Sequence, residues 1–216
     1  LPSILNLATA GEMSLSEAAL GATGVMAAFN LQVSDLGRIG DVFAKAAAVS
    51  NTSVTAMVEA MKQASTVSDQ YKVSLEETAA SLAVMAKRNI EGSAAGTAFR
   101  NMMVELATPH EKAKKAMAQV GLQLYDNSNQ LKSYGEVLTQ LRSKTVLMNE
   151  QGRLTFLNEM FGERGAKAVN ALLSDFDLYK KTLDDVKNKS QDFAASVAAA
   201  LQETTQGKLK AMVTEF

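Results

Sequence analysis

Cysteine and tryptophan are both absent from this 216-residue chain. The first absence removes disulfides, thiolate metal ligands and a thiol nucleophile together, and fits a reducing compartment without requiring one. Histidine occurs once, at His110. A lone histidine leaves a zinc site short of ligands and leaves no base for a Ser-His-Asp arrangement elsewhere in the chain. Proline occurs only at Pro2 and Pro109, so little in the backbone interrupts helix. Neither sign of charge dominates: 22 basic residues stand against 23 acidic ones. Such a balance offers no electrostatic footprint for nucleic acid or an anionic membrane. Aromatic residues make up 6% of the chain, a poor supply for base-stacking surfaces. No apolar run approaches the roughly 20 residues that span a bilayer, and no stretch has the pattern of a signal peptide.

Hydrophobic residues make up 47% of the chain, enough for a core in one large helical domain or two small ones. Alanine is abundant, which makes helix the default local state. The punctuation agrees. Ser14-Leu15-Ser16-Glu17, Ser74-Leu75-Glu76-Glu77 and Ser133-Tyr134-Gly135-Glu136 each read as a capping box. Thr108-Pro109-His110-Glu111 reads as a fourth, with proline at the first helical position and His110 exposed at the second. One-sided stripes follow the helical period: Val54, Met57, Val58, Met61; Leu75, Ala79, Leu82, Ala86; and Phe99, Met102, Met103, Leu106. Ser14–Ser50 and Ser53–Lys87 echo one another at an offset of about 40 residues, which predicts two stacked αα-hairpins. The exception to helix follows Gly121, a glycine placed to end one. Leu122-Gln123-Leu124-Tyr125 alternates, Asp126 to Gln130 is turn-rich, and a short β-hairpin insertion is expected.

Further on, Leu154, Leu157 and Phe161 mark a helix ended by Gly162, and Val169, Leu172 and Leu173 mark another after Gly165. From Ser174 the apolar stripe is sparse (Phe176, Tyr179, Leu183, Val186, then Phe193, Val197, Leu201, Thr204, with an interruption at Gly207) and the flanks are charged. That predicts a core domain over 1–173 and an extended C-terminal helical arm over 174–216. Leu1 opens the chain within a helix-like stretch and Phe216 closes it without a polar tail, so it reads as a piece of a longer polypeptide.

Little in the chain points to chemistry. Glu76-Glu77 and Asp184-Asp185 are adjacent carboxylates, which point about 100° apart on a helix and do not converge on one substrate. Gly92-Ser93-Ala94-Ala95-Gly96-Thr97 lacks the Lys-Ser/Thr ending of a phosphate loop and no strand precedes it. Glycines four apart instead predict close approach of a second helix at Gly92 and Gly96. Phe161-Gly162-Glu163-Arg164-Gly165 reads as a tight junction in which Arg164 binds the free carbonyls of the preceding helix. The positions singled out are Gly92, Gly96, Gly121, Phe161, Gly162, Arg164 and Gly165, all structural. No catalytic, cofactor-binding or metal-binding residue is expected, and none of them marks an enzyme.

The run Asn89–Arg100 resembles the glycine-rich signature in the TP901-type core of bacteriophage tail tape-measure proteins. In the same order, Leu1–Met13, Arg38–Phe43, Val73–Met85, Gly121–Leu131, Phe161–Gly165 and Thr205–Lys210 resemble other parts of that core. The matches cover most of Leu1–Leu173 and then thin out. Asn89 stands where a small residue or glycine is usual, and Asn127-Ser128-Asn129 replaces a glycine turn. The resemblance implies an all-α structural protein of the virion, lying in the lumen of the tail tube after assembly in the host cytoplasm. It implies a scaffold for tube assembly and tail-length determination. Its partners would be other copies of itself, the tail tube protein, assembly chaperones and tail-tip proteins, with no cofactor, no specific nucleic acid and no membrane segment in this piece. The competing expectation is a helical adaptor from a secreted or toxin-like protein, which a neighbouring long heptad region would argue against.

Overall fold

The computed structural model describes the backbone of residues 1–214 and the side chains of residues 1–204. Three of the predicted capping boxes are formed. The hydroxyls of Ser14, Ser74 and Ser133 accept from the amides of Glu17, Glu77 and Glu136, and each glutamate accepts the serine amide in return at 3.0 Å. They open α2 (Leu15–Ala28), α5 (Leu75–Lys87) and α8 (Tyr134–Thr145). The serine hydroxyl, then the serine amide, holds the Glu17 and Glu136 carboxyls below the ordinary glutamate range.

The fourth box does not form. Thr108 ends α6 (Gly92–Ala107) and its hydroxyl donates back to the Val104 carbonyl at 2.9 Å. Proline disfavours helical geometry in the residue before it. The next helix, α7 (Glu111–Val120), starts from His110, which is exposed and places Nδ1 3.2 Å from Glu105 Oε2.

The remaining helices are α1 (Pro2–Ala10), α3 (Leu36–Ser50) after a 3₁₀ turn at Val33–Asp35, α4 (Val54–Gln70), α9 (Glu150–Ser174), α10 (Phe176–Asn188) and α11 (Phe193–Thr214). The chain is all-helical over the described residues, and no strand occurs among them. The expected β-hairpin reduces to one antiparallel bridge between Tyr125 and Leu131. Its loop is closed instead by Asp126, whose Oδ1 accepts the Ser128 and Gln130 amides at 2.8 and 2.9 Å. Only Leu131 and Lys132 separate that loop from the capping Ser133, too short a run for a second strand.

Several helices end in the left-handed region without glycine. Glu12, Asn30, Lys72 and Asn89 have φ of 49, 51, 56 and 60°. In each case the following amide reaches the carbonyl five residues earlier: Met13 to Ala8, Leu31 to Met26, Val73 to Ser68 and Ile90 to Met85. At Lys72 the side chain costs about 1 kcal/mol that glycine would not, and the larger unfolded-state freedom of glycine offsets part of it. Lys72→Gly is expected to raise the melting temperature by about 2 °C. The 3.7 Å pair with Asp69 that it removes is exposed and contributes little. A lower midpoint in a thermal scan would argue that the turn is not held as described.

The predicted hairpin pairing is not the dominant contact. α4 packs most extensively on α6, and α3 packs more on α5 than on its sequence neighbour α2. The helix at the centre is α5, in contact with α3, α4, α6, α9 and α10. Its periodicity predicts a one-sided stripe, yet every residue from Thr78 to Met85 is buried. Its small side chains allow neighbours on all sides, and its hydroxyls are satisfied locally: Thr78 donates to the Ser74 carbonyl and Ser81 to the Glu77 carbonyl, both at 2.8 Å. An aromatic chain then crosses the core, with ring centroids 5.8 Å apart for Phe99–Tyr134, 6.3 Å for Tyr134–Tyr179 and 5.9 Å for Tyr179–Phe176. Tyr134 Oη and Ser81 Oγ lie 2.7 Å apart, and burial pushes the phenol of Tyr134 far up from its ordinary range.

The expected arm is folded back over its described part. α10 packs on α5 and α3 through the buried Phe176, Tyr179, Thr182 and Val186, and α11 packs on α1 and α3. Asp41 of α3 does what no local residue does for α11: Oδ2 accepts the Asp192 amide at 2.8 Å and Oδ1 the Ala194 amide at 2.9 Å. Beside it, Lys45 Nζ lies 4.6 Å from the centre of the Phe193 ring. Among the described residues the buried positions of α11 are Ala194 and Ala198, one residue on from the predicted Phe193 and Val197, and a Cβ on Gly40 of α3 would lie 3.8 Å from the Ala194 methyl. The helix continues through Gly207 where an interruption was expected. The side chains of the Thr205–Lys210 element lie outside the described residues.

Candidate functional site

The two glycine-containing motifs, about 70 residues apart in sequence, line the same groove. One wall is α6. Asn89 turns the chain at the end of α5, half-buried Ile90 follows it, and Gly92 begins α6 with φ of 57°. A Cβ at Gly92 would meet only Glu59 Oε2 at 3.2 Å, so glycine is needed there for its backbone rather than for close packing. Gly96 is the point of closest approach: a Cβ there would stand 2.1 Å from the Ala60 carbonyl oxygen and 2.7 Å from Gln63 Cβ of α4. With that contact fixed, Ala95, Phe99, Met102 and Met103 turn into the core, while Ser93, Ala94 and Asn101 face outwards.

The other wall is the second half of α9. Gly162 breaks the helix with φ 64° and ψ 172°, and the chain re-enters helical geometry immediately. Phe161 is buried, and a Cβ on Gly165 would stand 2.9 Å from Phe161 Cβ, so the junction is tight on that side. Arg164 does not bind the carbonyls of the preceding helix. Among the described residues its guanidinium makes no hydrogen bond or ion pair, and it lines the groove instead. Gly121 lies elsewhere, at the end of α7, with φ of 62°.

The groove has a volume of about 460 Å³, a floor of Ile90, Ala94 and Ala98, and a rim of Arg164 and Lys167. Lys167 pairs with Glu163 at 3.1 Å on the exposed side. A second hollow of about 320 Å³ shares Ile90 and Lys167 and extends to Arg88. There Arg88 donates to both oxygens of Asp175, at 2.6 and 2.8 Å, and holds that carboxyl below the usual aspartate range. Neither this pair nor Asp41 is visible from sequence spacing, since each joins residues more than 80 positions apart.

The lining of the groove holds two cations, hydroxyls and an amide, but no histidine or carboxylate to activate a nucleophile. The adjacent carboxylates lie away from it. Glu76 is mostly buried, with Oε1 2.7 Å from a guanidinium nitrogen of Arg38, while Glu77 serves its capping box. Asp184 and Asp185 do converge, each 2.8 Å from Lys189 Nζ, because the flexible lysine spans their angular separation. Among the described residues no cluster of three or more metal-ligating side chains occurs, and no helix is long and apolar enough to cross a membrane.

Against known proteins, residues 1–162 match the family of phage-related minor tail proteins. That match ends at the backbone break in α9. The whole chain is 32% identical, over 221 residues, to the tape measure protein of Pneumococcus phage Dp-1, of which it spans 19%. It is 26% identical over 219 residues to the probable tape measure protein of Escherichia phage P2, of which it spans 27%. No solved structure matches it.

Proposed function

This chain belongs to the phage-related minor tail protein family, and from that membership we propose that it is a compact helical module of a tail tape-measure protein. In this reading the full-length protein scaffolds tail-tube assembly inside the tube lumen, during assembly in the host cytoplasm, and sets tail length. Copies of the chain, the tail tube protein, assembly chaperones and tail-tip proteins are its partners. The observation that carries the reading is similarity across the whole chain to tape measure proteins several times longer.

The folded architecture supports reading this segment as a compact module rather than as ruler. A ruler needs long uninterrupted helix rising about 1.5 Å per residue. Here the chain is stopped and re-capped repeatedly, and the longest helix, of 25 residues, is broken at Gly162. Packed helices transmit little length per residue, so the segment acts as a module at which assembly is organised. Similarity to tape measure proteins favours this structural role over an enzymatic one.

Deleting this segment in frame from the full-length gene and measuring tails by electron microscopy tests the reading. Tails are expected to fail or to lose uniform length. Uniform tails shortened by up to about 320 Å would identify it as ruler instead. Normal tails of unchanged length would remove both and favour the adaptor alternative.

A further inference from the structure

We propose that the groove between α6 and the second half of α9 receives the outer face of α11 from a second copy of the chain. This rests on the reading above that copies of the protein pack together, and it names the contact they use. The groove is apolar on its floor, and its rim carries a guanidinium, that of Arg164, with no partner among the described residues. A buried or half-buried occupant must therefore bring a small apolar surface and a carboxylate.

The chain carries such a surface. On α11 the inner face, Ala194 and Ala198, is buried against the core, and the outer face presents Ser196, Ala199, Ala200 and Glu203, all exposed. These positions follow the i, i+3, i+4, i+7 spacing of one helical stripe. Glu203 is the single charged residue between Phe193 and Thr204. It has no ion pair or hydrogen bond among the described residues. Two other outward faces fit less well. α7 presents Lys112, Lys114 and Lys115, which the rim would repel, and α2 presents no acidic residue beyond Glu17 in its capping box. Small residues on both sides let the helices approach closely, and the opposite charges set register.

α11 is packed on α1 and α3 of its own chain, while the groove belongs to α6 and α9. The contact is therefore heterologous, one surface meeting a different surface, and it propagates head to tail into a ring or a file of subunits. One helical stripe in a groove of this size makes a weak contact, suited to chains confined together rather than to a stable dimer in dilute solution.

The absence of native cysteine makes the test clean. Ala94→Cys in the groove and Ala200→Cys on α11 would be placed in the 216-residue chain, singly and together, and oxidised mildly at high concentration. The double variant is expected to give a ladder of dimers, trimers and higher species. A mixture of the two single variants should stop at the mixed dimer. Arg164→Glu should cut the ladder about tenfold, and adding Glu203→Arg should restore it, with thermal midpoints unchanged in both. Symmetric dimers from either single variant, no ladder, or a ladder indifferent to Arg164→Glu would each overturn the proposal. A tail-length phenotype from deleting the segment, with no ladder, would leave the tape-measure reading standing and remove only this contact.

Discussion

Replacing Gly96 with alanine is expected to destabilise the protein by about 3 kcal/mol, although alanine is the better helix former by about 1 kcal/mol. The added methyl would sit 2.1 Å from the Ala60 carbonyl oxygen, 2.9 Å from the Ala60 carbonyl carbon and 2.7 Å from Gln63 Cβ. These are backbone atoms and the root of a side chain, so no rotamer change relieves them. α4 and α6 must separate, and theirs is the most extensive helix contact in the molecule. Separation loosens Met57, Met61, Phe99, Met102 and Met103, all essentially inaccessible to solvent. Gly24→Ala is the control, since nothing lies within 4 Å of a Cβ there and α2 continues on both sides. That variant is expected to be neutral or to gain up to about 1 kcal/mol. Urea midpoints read the difference directly. If both alanines behave alike, the close approach of α4 and α6 is wrong and the wall of the groove with it.

How much of this was legible in the sequence follows from the range of each interaction. Capping boxes are complete within four residues, and those at Ser14, Ser74 and Ser133 form as read. Thr108 shows the limit of the same rule. The pattern is present, but the Thr108 hydroxyl is taken by its own helix, donating to the Val104 carbonyl, and α7 begins two residues later from His110. Periodicity located α5 but not its centrality, because alanine and serine fit a buried face or an exposed one equally. Aromatic and charged anchors reversed the expectation for α10 and α11: Tyr179 joins the rings of Phe99 and Tyr134, and Asp41 caps a helix 151 positions away. For the candidate site, the glycines at 92, 96, 162 and 165 stand out by pattern, but the groove is lined by their neighbours Ser93, Ala94, Thr97 and Arg164, and that pattern does not show the two segments facing one another. Tertiary geometry alone brings residues 90–101 beside residues 164–167.

The second large effect is expected at Gly162, from backbone conformation alone. With φ 64° and ψ 172° this residue occupies a region open essentially to glycine, and a side chain of L configuration there costs about 1–3 kcal/mol. No neighbour lies within 4 Å of a Cβ, so crowding plays no part, in contrast to Gly96. Gly162→Ala has two ways to respond. It can keep the break and accept the strain, or adopt helical geometry and join the halves of α9 into one straight rod. Straightening would pull Phe156, Leu157, Met160 and Phe161 from the core, which costs more than the strain it relieves. The expected result is therefore a loss of about 2 kcal/mol with the break retained. D-alanine at the same position, introduced by chemical ligation, separates the explanations. For the mirror-image residue this conformation lies near the extended region, so stability close to that of glycine is expected. Equal destabilisation by both forms would show that the site rejects any side chain, and the break in α9 would then need a packing explanation. A straightened, stable alanine variant would be the more consequential outcome. The junction would then be a hinge between a folded module and a longer rod, and the compact reading of this segment would describe only one of its states.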